Sequence, residues 1–139
     1  MKPFLVKHGE WKQALGYRIE TSGRVIVYSG DTSPTETIVK NCDGCDYLIS
    51  EAYTLASFDL VSPQWQRYRR AYHTSTRELG DIVARAKPRL LILTHRGNAG
   101  CDQSHAPGCI ESGSEEQMLK EMKQYYSGNV IAAHDLDVY

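Results

Sequence analysis

The feature that most constrains the fold is a short β-branched strand that runs directly into a tight polar turn. Its sequence, Val-Ile-Val-Tyr followed by Ser-Gly-Asp-Thr, occupies residues 25–32. The turn puts Asp31 at the carboxyl end of the strand, where α/β sheets form ligand-binding clefts. His8, His73 and His95 each stand near another strand-like run, so the imidazoles could converge on that carboxylate. Together these residues predict a metal site.

Length and charge limit the classes of protein that fit. A chain of 139 residues has the length of one domain, and its 16 Lys and Arg nearly balance its 17 Asp and Glu, so no global basic field indicates nonspecific nucleic-acid binding. No apolar run reaches the roughly 20 residues of a membrane span, and the N-terminus lacks the pattern of a secretory signal. We therefore expect a single domain over residues 1–139, cytoplasmic and without membrane contact.

Four cysteines form two pairs. Cys42 and Cys45 are spaced as C-x-x-C, whereas Cys101 and Cys109 are separated by seven residues. A C-x-x-C pair is a recurring half of structural zinc sites, but the second pair does not have that spacing. We expect reduced thiols, as in most cytosolic proteins, rather than a zinc ribbon or a disulfide.

Six short runs rich in Val, Ile, Leu and Tyr predict β-strands. They are residues 4–7, 16–20, 25–28, 47–50, 90–94 and 130–133. Ser22-Gly23 is typical of a hairpin turn between the second and third runs. Strands that alternate with helices indicate a layered α/β domain, with a mixed sheet and helices on one of its faces.

Three helices are predicted from capping residues and apolar periodicity. Pro34 is typical of a first helical residue after the potential caps Thr32 and Ser33, so a short helix is expected to about residue 40. Capping boxes of the form Ser-x-x-Glu and Ser-x-x-Gln mark the other two starts. These two helices are expected from Ser75 to Pro88 and from Ser114 to Gly128. The intervening residues 96–113 predict a long loop, of the kind that often serves a neighbouring site.

Short segments in a fixed order carry a family resemblance. They are Val6-Lys-His-Gly-Glu10, Leu15-Gly-Tyr-Arg-Ile-Glu20, Tyr28-Ser-Gly-Asp-Thr32, Glu51-Ala52, His73-Thr74, Leu93-Thr-His95 and Val130-Ile-Ala-Ala-His-Asp-Leu136. In order and spacing they resemble the metallo-β-lactamase superfamily, in its ribonuclease Z and arylsulfatase-like branch. The resemblance implies an αββα sandwich, of which this chain looks like the C-terminal half.

The resemblance also implies roles for five residues. His8 is similar to a histidine of the first metal, Asp31 to the carboxylate that bridges both metals, and His95 to the last histidine of the second. The implied metal is zinc, with manganese or iron as alternatives. His73 resembles the histidine that contacts the scissile phosphate and delivers a proton, and Glu51 the acid that orients it.

One departure restricts the expected chemistry. The family's His-x-His-x-Asp-His motif does not occur in the chain. With Asp31 shared, each metal would have one histidine and one carboxylate, whereas catalytic zinc usually has three protein ligands. Half a sandwich would also expose an apolar sheet, which predicts a partner: a homodimer or a chain that supplies the missing N-terminal half.

Two functions follow from these expectations. The first is a metal-dependent hydrolase of the phosphodiesterase or ribonuclease Z type, incomplete or inactive as an isolated chain. The second is a non-catalytic remnant that acts as a dimeric binding or interaction module. The run of basic and aromatic residues at 67–72 could stack on bases and contact phosphates, which leaves an RNA substrate open, or form a solvated helix face.

Overall fold

The computed structural model describes residues 1–96 and 113–139. Within them the chain forms a mixed α/β fold with six strands and five helices. The strands are β1 (Lys2–Val6), β2 (Ala14–Thr21), β3 (Arg24–Tyr28), β4 (Tyr47–Ala52), β5 (Leu90–Arg96) and β6 (Val130–Ala132). The helices are α1 (Glu36–Cys42), α2 (Leu55–Phe58), α3 (Pro63–Tyr72), α4 (Thr76–Ala86) and α5 (Glu115–Tyr125).

The strands form one sheet in chain order, from β1 to β6. The first three are antiparallel, and the predicted Ser22-Gly23 turn closes the hairpin between Thr21 and Arg24. From β3 onwards neighbouring strands run parallel. The carboxyl ends of β3, β4 and β5 therefore meet at one edge of the sheet.

Helices α1, α4 and α5 share a hydrophobic core with one face of the sheet. Val27, Leu48 and Leu91 lie in register on that face and are fully buried. Because successive strand residues point to opposite faces, the other face carries their neighbours. It is apolar, and Ile26, Tyr28, Tyr47 and Ile49 on it are partly exposed, whereas Ile92 is buried. The predicted arrangement of helices on one face is confirmed.

All six predicted strands are present, and each end lies within two residues of its expected position. The helices predicted from Ser75 and Ser114 also begin at those caps. Ser75 and Glu78 complete their capping box, whereas Gln117 uses its side-chain amide on Glu121 instead. The last helix ends at Tyr125, before the expected stop at Gly128.

The predicted start of the first helix is wrong. The helix begins at Glu36 after the cap Thr35, and not at Pro34. The proposed cap Thr32 is fully buried, and its hydroxyl accepts a hydrogen bond from the backbone N–H of Lys7 at 3.2 Å. The polar groups of Thr32 join chain segments, so Thr35 caps the helix instead.

Two helices between β4 and α4 were not predicted. The pair Ser62-Pro63 is a sequence signal for the start of α3, because serine is a common cap and proline favours the first turn of a helix. In the structure Ser62 accepts a hydrogen bond from the backbone N–H of Trp65, and Pro63 occupies the first turn. The four residues of α2 are too few for apolar periodicity to show. None of the helices in residues 1–96 and 113–139 is long and apolar enough to cross a membrane.

The expectation of four reduced thiols is also wrong for one pair. Cys42 and Cys45 form a disulfide that joins the end of α1 to the approach to β4. Asp43 and Gly44 between them both have positive φ, of 39° and 78°, which folds the backbone back and brings the two cysteines together. The second pair, Cys101 and Cys109, lies outside the described residues.

Candidate functional site

The ends of three parallel strands supply the candidate ligands. Asp31 follows β3, Glu51 lies near the end of β4, and His95 near the end of β5. Gly30 makes the turn before Asp31 possible, because it has a φ of +64° and an added Cβ would lie 2.7 Å from the carbonyl oxygen of Leu15. The Nε2 atom of His95 lies 3.4 Å from an Oδ2 atom of Asp31, so the predicted convergence of these two residues is present.

A bulge in the sheet sets the position of His95. Glu51 pairs with Thr94, but the next residue of β4, Ala52, pairs with Arg96, so His95 is the extra residue. Its φ is +40°, in the left-handed region that residues other than glycine rarely adopt. Bulges next to functional sites turn a side chain away from the regular alternation of the strand. The strained backbone at His95 is therefore consistent with a functional position.

Glu51 and His73 form a hydrogen-bonded pair. The Nδ1 atom of His73 lies 2.6 Å from Oε2 of Glu51, and the other carboxylate oxygen accepts a hydrogen bond from the backbone N–H of Thr32. A carboxylate only accepts, so Nδ1 of His73 carries the proton and donates it to this bond. The Nε2 atom is the one left for chemistry. The catalytic roles that the family resemblance implies for both residues stay predictions.

Backbone pairing holds the two segments of this pair side by side. The N–H of Tyr53 donates to the carbonyl of Thr74 at 3.0 Å, and the N–H of Thr76 donates to the carbonyl of Tyr53 at 2.9 Å. The hydroxyl of Thr74 also donates to the carbonyl of Thr32 at 2.6 Å. Three chain segments, following β3, β4 and α3, are thereby fixed around Glu51.

Burial dominates the electrostatics of Glu51, whose residue surface is only 2% exposed. Desolvation raises the pKa of its carboxyl above the ordinary value, and the hydrogen bond and charge of His73 act in the opposite direction. The nearby Asp31 carboxylate adds to the increase. An imidazolium at His73 is the group that best stabilises the ionised form of Glu51.

His8 is held by a different contact. Its Nδ1 atom lies 2.9 Å from the backbone carbonyl oxygen of Tyr72. A carbonyl only accepts, so Nδ1 carries a proton and the lone pair of Nε2 is left to bind a metal. Metal-bound histidines commonly donate their second N–H to a carbonyl or a carboxylate in this way. The ring of His8 lies 5.5 Å from that of His73 between centroids. All five predicted site residues are thus linked by contacts that run from His8 through His73 to His95 and Asp31.

Among the described residues, the ligand atoms of Glu51, His73 and His95 lie within 4.8 Å of one another and could hold a metal ion. This group differs from the predicted ligand set of His8, Asp31 and His95, although His95 belongs to both. Both oxygens of Glu51 already accept hydrogen bonds, whereas the carboxylate of Asp31 is more exposed. The donor types of either group are ones that zinc accepts.

Two residues of the site were missed by the sequence analysis. Thr32 joins the turn after β3 to Glu51 and to Thr74, whereas only a capping role was predicted for it. Glu121 of α5 is buried and accepts hydrogen bonds from the backbone N–H groups of Leu55 and Ala56. An acidic residue between the apolar positions of the last helix was the available signal for Glu121.

Comparison with known families agrees with this architecture. Residues 1–96 match the family described as the beta-lactamase superfamily domain, which is more than half of the chain. The fold and the cluster of histidine and carboxylate side chains at the strand ends define a protein of the metallo-β-lactamase class. The chain belongs to the beta-lactamase superfamily, and within it the chain is a partial domain similar to ribonuclease Z.

Individual relatives show how much of the fold is present. The chain is 32% identical over 126 residues to ribonuclease Z of Mycobacterium bovis (strain BCG / Pasteur 1173P2), covering 88% of this chain and 40% of that protein. It is 26% identical over 113 residues to a ribonuclease Z of Haloarcula marismortui, covering 81% of this chain and 31% of the relative. The chain therefore spans less than half the length of these relatives.

Two solved structures show the same fold. The metallo-beta-lactamase fold protein YhfI from Bacillus subtilis superposes with a TM-score of 0.64 at 21% identity, covering 95% of this chain and 50% of YhfI. CmlA, a diiron beta-hydroxylase from Streptomyces venezuelae, superposes with a TM-score of 0.54 at 15% identity, covering 95% of this chain and 29% of CmlA. The predicted fold class, half of a metallo-β-lactamase sandwich, is confirmed.

Proposed function

We propose that the chain is the proton-transfer half of a metal-dependent phosphodiester hydrolase of the ribonuclease Z type, and that activity requires metal ligands beyond those in residues 1–139. The observation that carries the proposal is the 2.6 Å hydrogen bond between His73 and the buried carboxylate of Glu51. A carboxylate with both oxygens engaged fixes the tautomer and the orientation of the imidazole. A general acid near neutral pH needs that control.

The metals are proposed to bind as the family resemblance implies, one at His8 and Asp31 and the other at Asp31 and His95, with zinc as the first choice and manganese or iron as alternatives. The hydrogen bond to the carbonyl of Tyr72 leaves Nε2 of His8 available, and His95 already lies beside Asp31. When bound, such a metal neutralises charge on a phosphate and lowers the pKa of bound water. Glu51 is kept out of this set because its two oxygens bond to Thr32 and His73.

The chain's own residues then account for one part of the reaction. Nδ1 of His73 stays hydrogen-bonded to Glu51, and the protonated Nε2 atom donates its proton to the leaving oxygen of the phosphodiester. Burial raises the pKa of the Glu51 carboxyl, and a positively charged His73 opposes that increase because it stabilises the ionised form of Glu51. The base that would activate water is not among these five residues, and we assign that group to the partner.

A partner is also proposed, because one apolar face of the sheet is left open. Tyr28, Ile49 and Ile92 lie in register on an apolar surface opposite the helices. A homodimer, or a separate chain with the His-x-His-x-Asp-His motif, would cover that surface and bring further ligands to the strand ends. An RNA with its phosphodiester at His73 is the proposed substrate.

The test uses the full chain with added zinc or manganese and an activated phosphodiester, bis(p-nitrophenyl) phosphate, over a range of protein concentrations. His73→Ala should lower the rate of cleavage of an RNA oligonucleotide, whose unactivated leaving oxygen needs a proton, by about 10²-fold or more, because general acid catalysis contributes that much. The activated diester does not need that proton and should be hydrolysed by this variant at nearly the wild-type rate. His134→Ala is the matched control, since His134 is an exposed histidine bonded to Glu115. Asp31→Ala and His95→Ala should abolish metal binding as measured by calorimetry.

Two results would reject catalysis by this chain. One is a protein that binds no zinc or manganese and hydrolyses nothing at any concentration, alone or mixed with a chain that carries the missing motif. The other is a His73→Ala variant that cleaves the RNA oligonucleotide as fast as the wild type. Activity that rises more steeply than protein concentration would support sites completed between two copies.

A second candidate function rests on the open sheet face alone. Such a surface would suit a non-catalytic chain that persists as a dimeric binding or interaction module. This candidate requires self-association whether or not metal binds. Sedimentation that shows one monomeric species at all concentrations would count against it.

A further inference from the structure

We propose that an aromatic strip on α3, formed by Trp65, Tyr68 and Tyr72, is a stacking site for the unpaired bases of a single-stranded nucleic acid. The inference rests on the proposed function, because it assigns the bases that flank the phosphodiester at His73. It adds a binding surface to the proton-transfer pair and the metal ligands.

The strip is a continuous row of ring contacts. Its three residues follow at helical spacings of three and four, which places them on one side of α3. The ring of Trp65 meets that of Tyr68 edge to face at 5.3 Å, and Tyr68 stacks on Tyr72 at 4.6 Å with planes 21° apart. Ring contacts of this kind hold the side chains in a fixed arrangement.

The outer part of the strip is accessible. Trp65 is 39% exposed and Tyr68 is 41% exposed, although both are large aromatic residues at the centre of a helix. Exposed aromatic groups that lie in contact with one another are a recurring sign of a binding surface. Every nucleobase has a π-face, so such a strip accepts bases with little sequence preference.

Charge identifies the occupant. The segment Pro63–Tyr72 contains three arginines and no acidic residue, in a chain whose formal net charge is −1. Arg67 is exposed, so its guanidinium group is available to phosphates, whereas the guanidinium of Arg70 lies 4.8 Å above the ring of Phe58. Aromatic rings next to cations fit a polyanion with unpaired bases better than a second apolar protein surface. A single-stranded nucleic acid has both properties.

The strip also leads into the candidate site. The ring of Tyr68 lies 5.7 Å from that of His73, and the ring of Tyr72 lies 5.0 Å from that of His8. Gly9 makes the second approach possible, since an added Cβ would lie 2.1 Å from the Tyr72 ring. A base stacked on Tyr68 would place its backbone phosphate near the imidazole that is proposed to protonate the leaving oxygen.

The test measures binding without cleavage. A short fluorescent single-stranded oligoribonucleotide is titrated with the full chain in the presence of EDTA, and the fluorescence anisotropy gives the dissociation constant. The double variant Trp65→Ala/Tyr68→Ala should weaken binding by about tenfold or more, since base stacking on an aromatic side chain is worth that much. Tyr68→Phe keeps the ring and should bind like the wild type.

Two controls separate stacking from general effects. Tyr125→Ala removes a comparably exposed tyrosine from α5 and should leave the affinity unchanged. Arg67→Gln should reduce the slope of log affinity against log salt by about 0.7, because one phosphate contact to a single strand is lost. A blunt duplex of the same sequence should bind more weakly, since its bases are already stacked.

The outcomes distinguish this inference from the proposed function. Oligonucleotide binding that survives in a protein with no hydrolytic activity rejects the hydrolase and keeps the stacking site. Absence of binding by the wild type, or equal binding by the double variant, overturns the stacking site whatever the hydrolysis assay shows. A double variant that changes the sedimentation coefficient but not the affinity assigns the strip to a protein interface, which also overturns the inference.

Discussion

The two faces of the sheet differ in how completely this chain covers them. On the helical face Val27, Leu48 and Leu91 have no exposed surface. On the opposite face Tyr28, in register with Ile49 of β4, is 37% exposed. The chain therefore builds one complete hydrophobic core and presents a second apolar surface to its surroundings.

This difference indicates how the Glu51–His73 pair is placed relative to the two faces of the sheet. Glu51 follows Ile49 by two residues and so points to the same side of β4 as the open face. The Glu51–His73 pair is thus supported from the closed side and borders the open side. A closed core can hold catalytic side chains in place, while an open face admits the partner that supplies further groups. The predictions below test this division of roles.

The largest effect is expected from a cavity on the closed face. Leu48→Ala should lower the free energy of unfolding by about 2–5 kcal/mol, because it deletes a fully buried side chain from a packed core. Ile49→Ala changes the neighbouring residue on the open face and should cost clearly less. Urea denaturation of both variants at low protein concentration measures the two losses. Equal losses would show that the open face is packed as well as the closed one.

A smaller effect is expected from the buried carboxylate of Glu121. It accepts hydrogen bonds from the N–H groups of Leu55 and Ala56 and from the hydroxyl of Thr76 at 2.6 Å. Glu121→Ala should leave these donors without their acceptor and cost about 1–3 kcal/mol of stability.

The same substitution should disturb the candidate site from a distance, since Thr76 and the residues after β4 flank the Glu51–His73 pair. The NMR signals of the His73 ring should therefore shift in Glu121→Ala. Glu116→Ala, at an exposed position of the same helix, is the control. Unchanged His73 signals would mean that the closed side does not support the pair.

The smallest effect on stability is expected on the open face. Tyr28→Lys should change the free energy of unfolding by only about 0.5 kcal/mol or less, because the side chain is partly exposed. It should nevertheless weaken association, since a charge would be buried in any interface formed there. Sedimentation equilibrium measures that loss. A wild-type chain that is monomeric throughout would remove the homodimer from the proposal and leave a different partner.

Local patterns predicted most of the fold. β-branched runs, the hairpin turn and the serine caps at Ser75 and Ser114 are determined by nearby residues, so the sequence shows them directly. The disulfide was not predictable in this way, because the distance between Cys42 and Cys45 depends on the left-handed turn between them. Helix α3 was missed although Ser62-Pro63 marks its start.

The candidate site was predictable only in part. Asp31 stands out because a strand and a glycine turn precede it, and the three histidines stand near other strand-like runs, whereas Glu51 was indicated only by the family resemblance. The bulge at His95 and the use of Thr32 as a junction depend on how strands pair, which no local pattern encodes. The ring contacts of α3 with His8 and His73 likewise join residues that are far apart in the chain.

The order of strands in the sheet has a consequence for how the protein folds. Each strand lies beside the one that precedes it in the chain, so the sheet can grow by addition at a single edge as synthesis proceeds. Contacts between near neighbours in sequence favour fast folding, since little chain must be closed into loops. The contact of Thr32 with Thr74 spans 42 residues, about as many as separate Tyr47 of β4 from its partner Leu90 in β5. The candidate site and the pairing of β4 with β5 therefore require the closure of loops of similar length, so we expect them to form at a similar stage of folding.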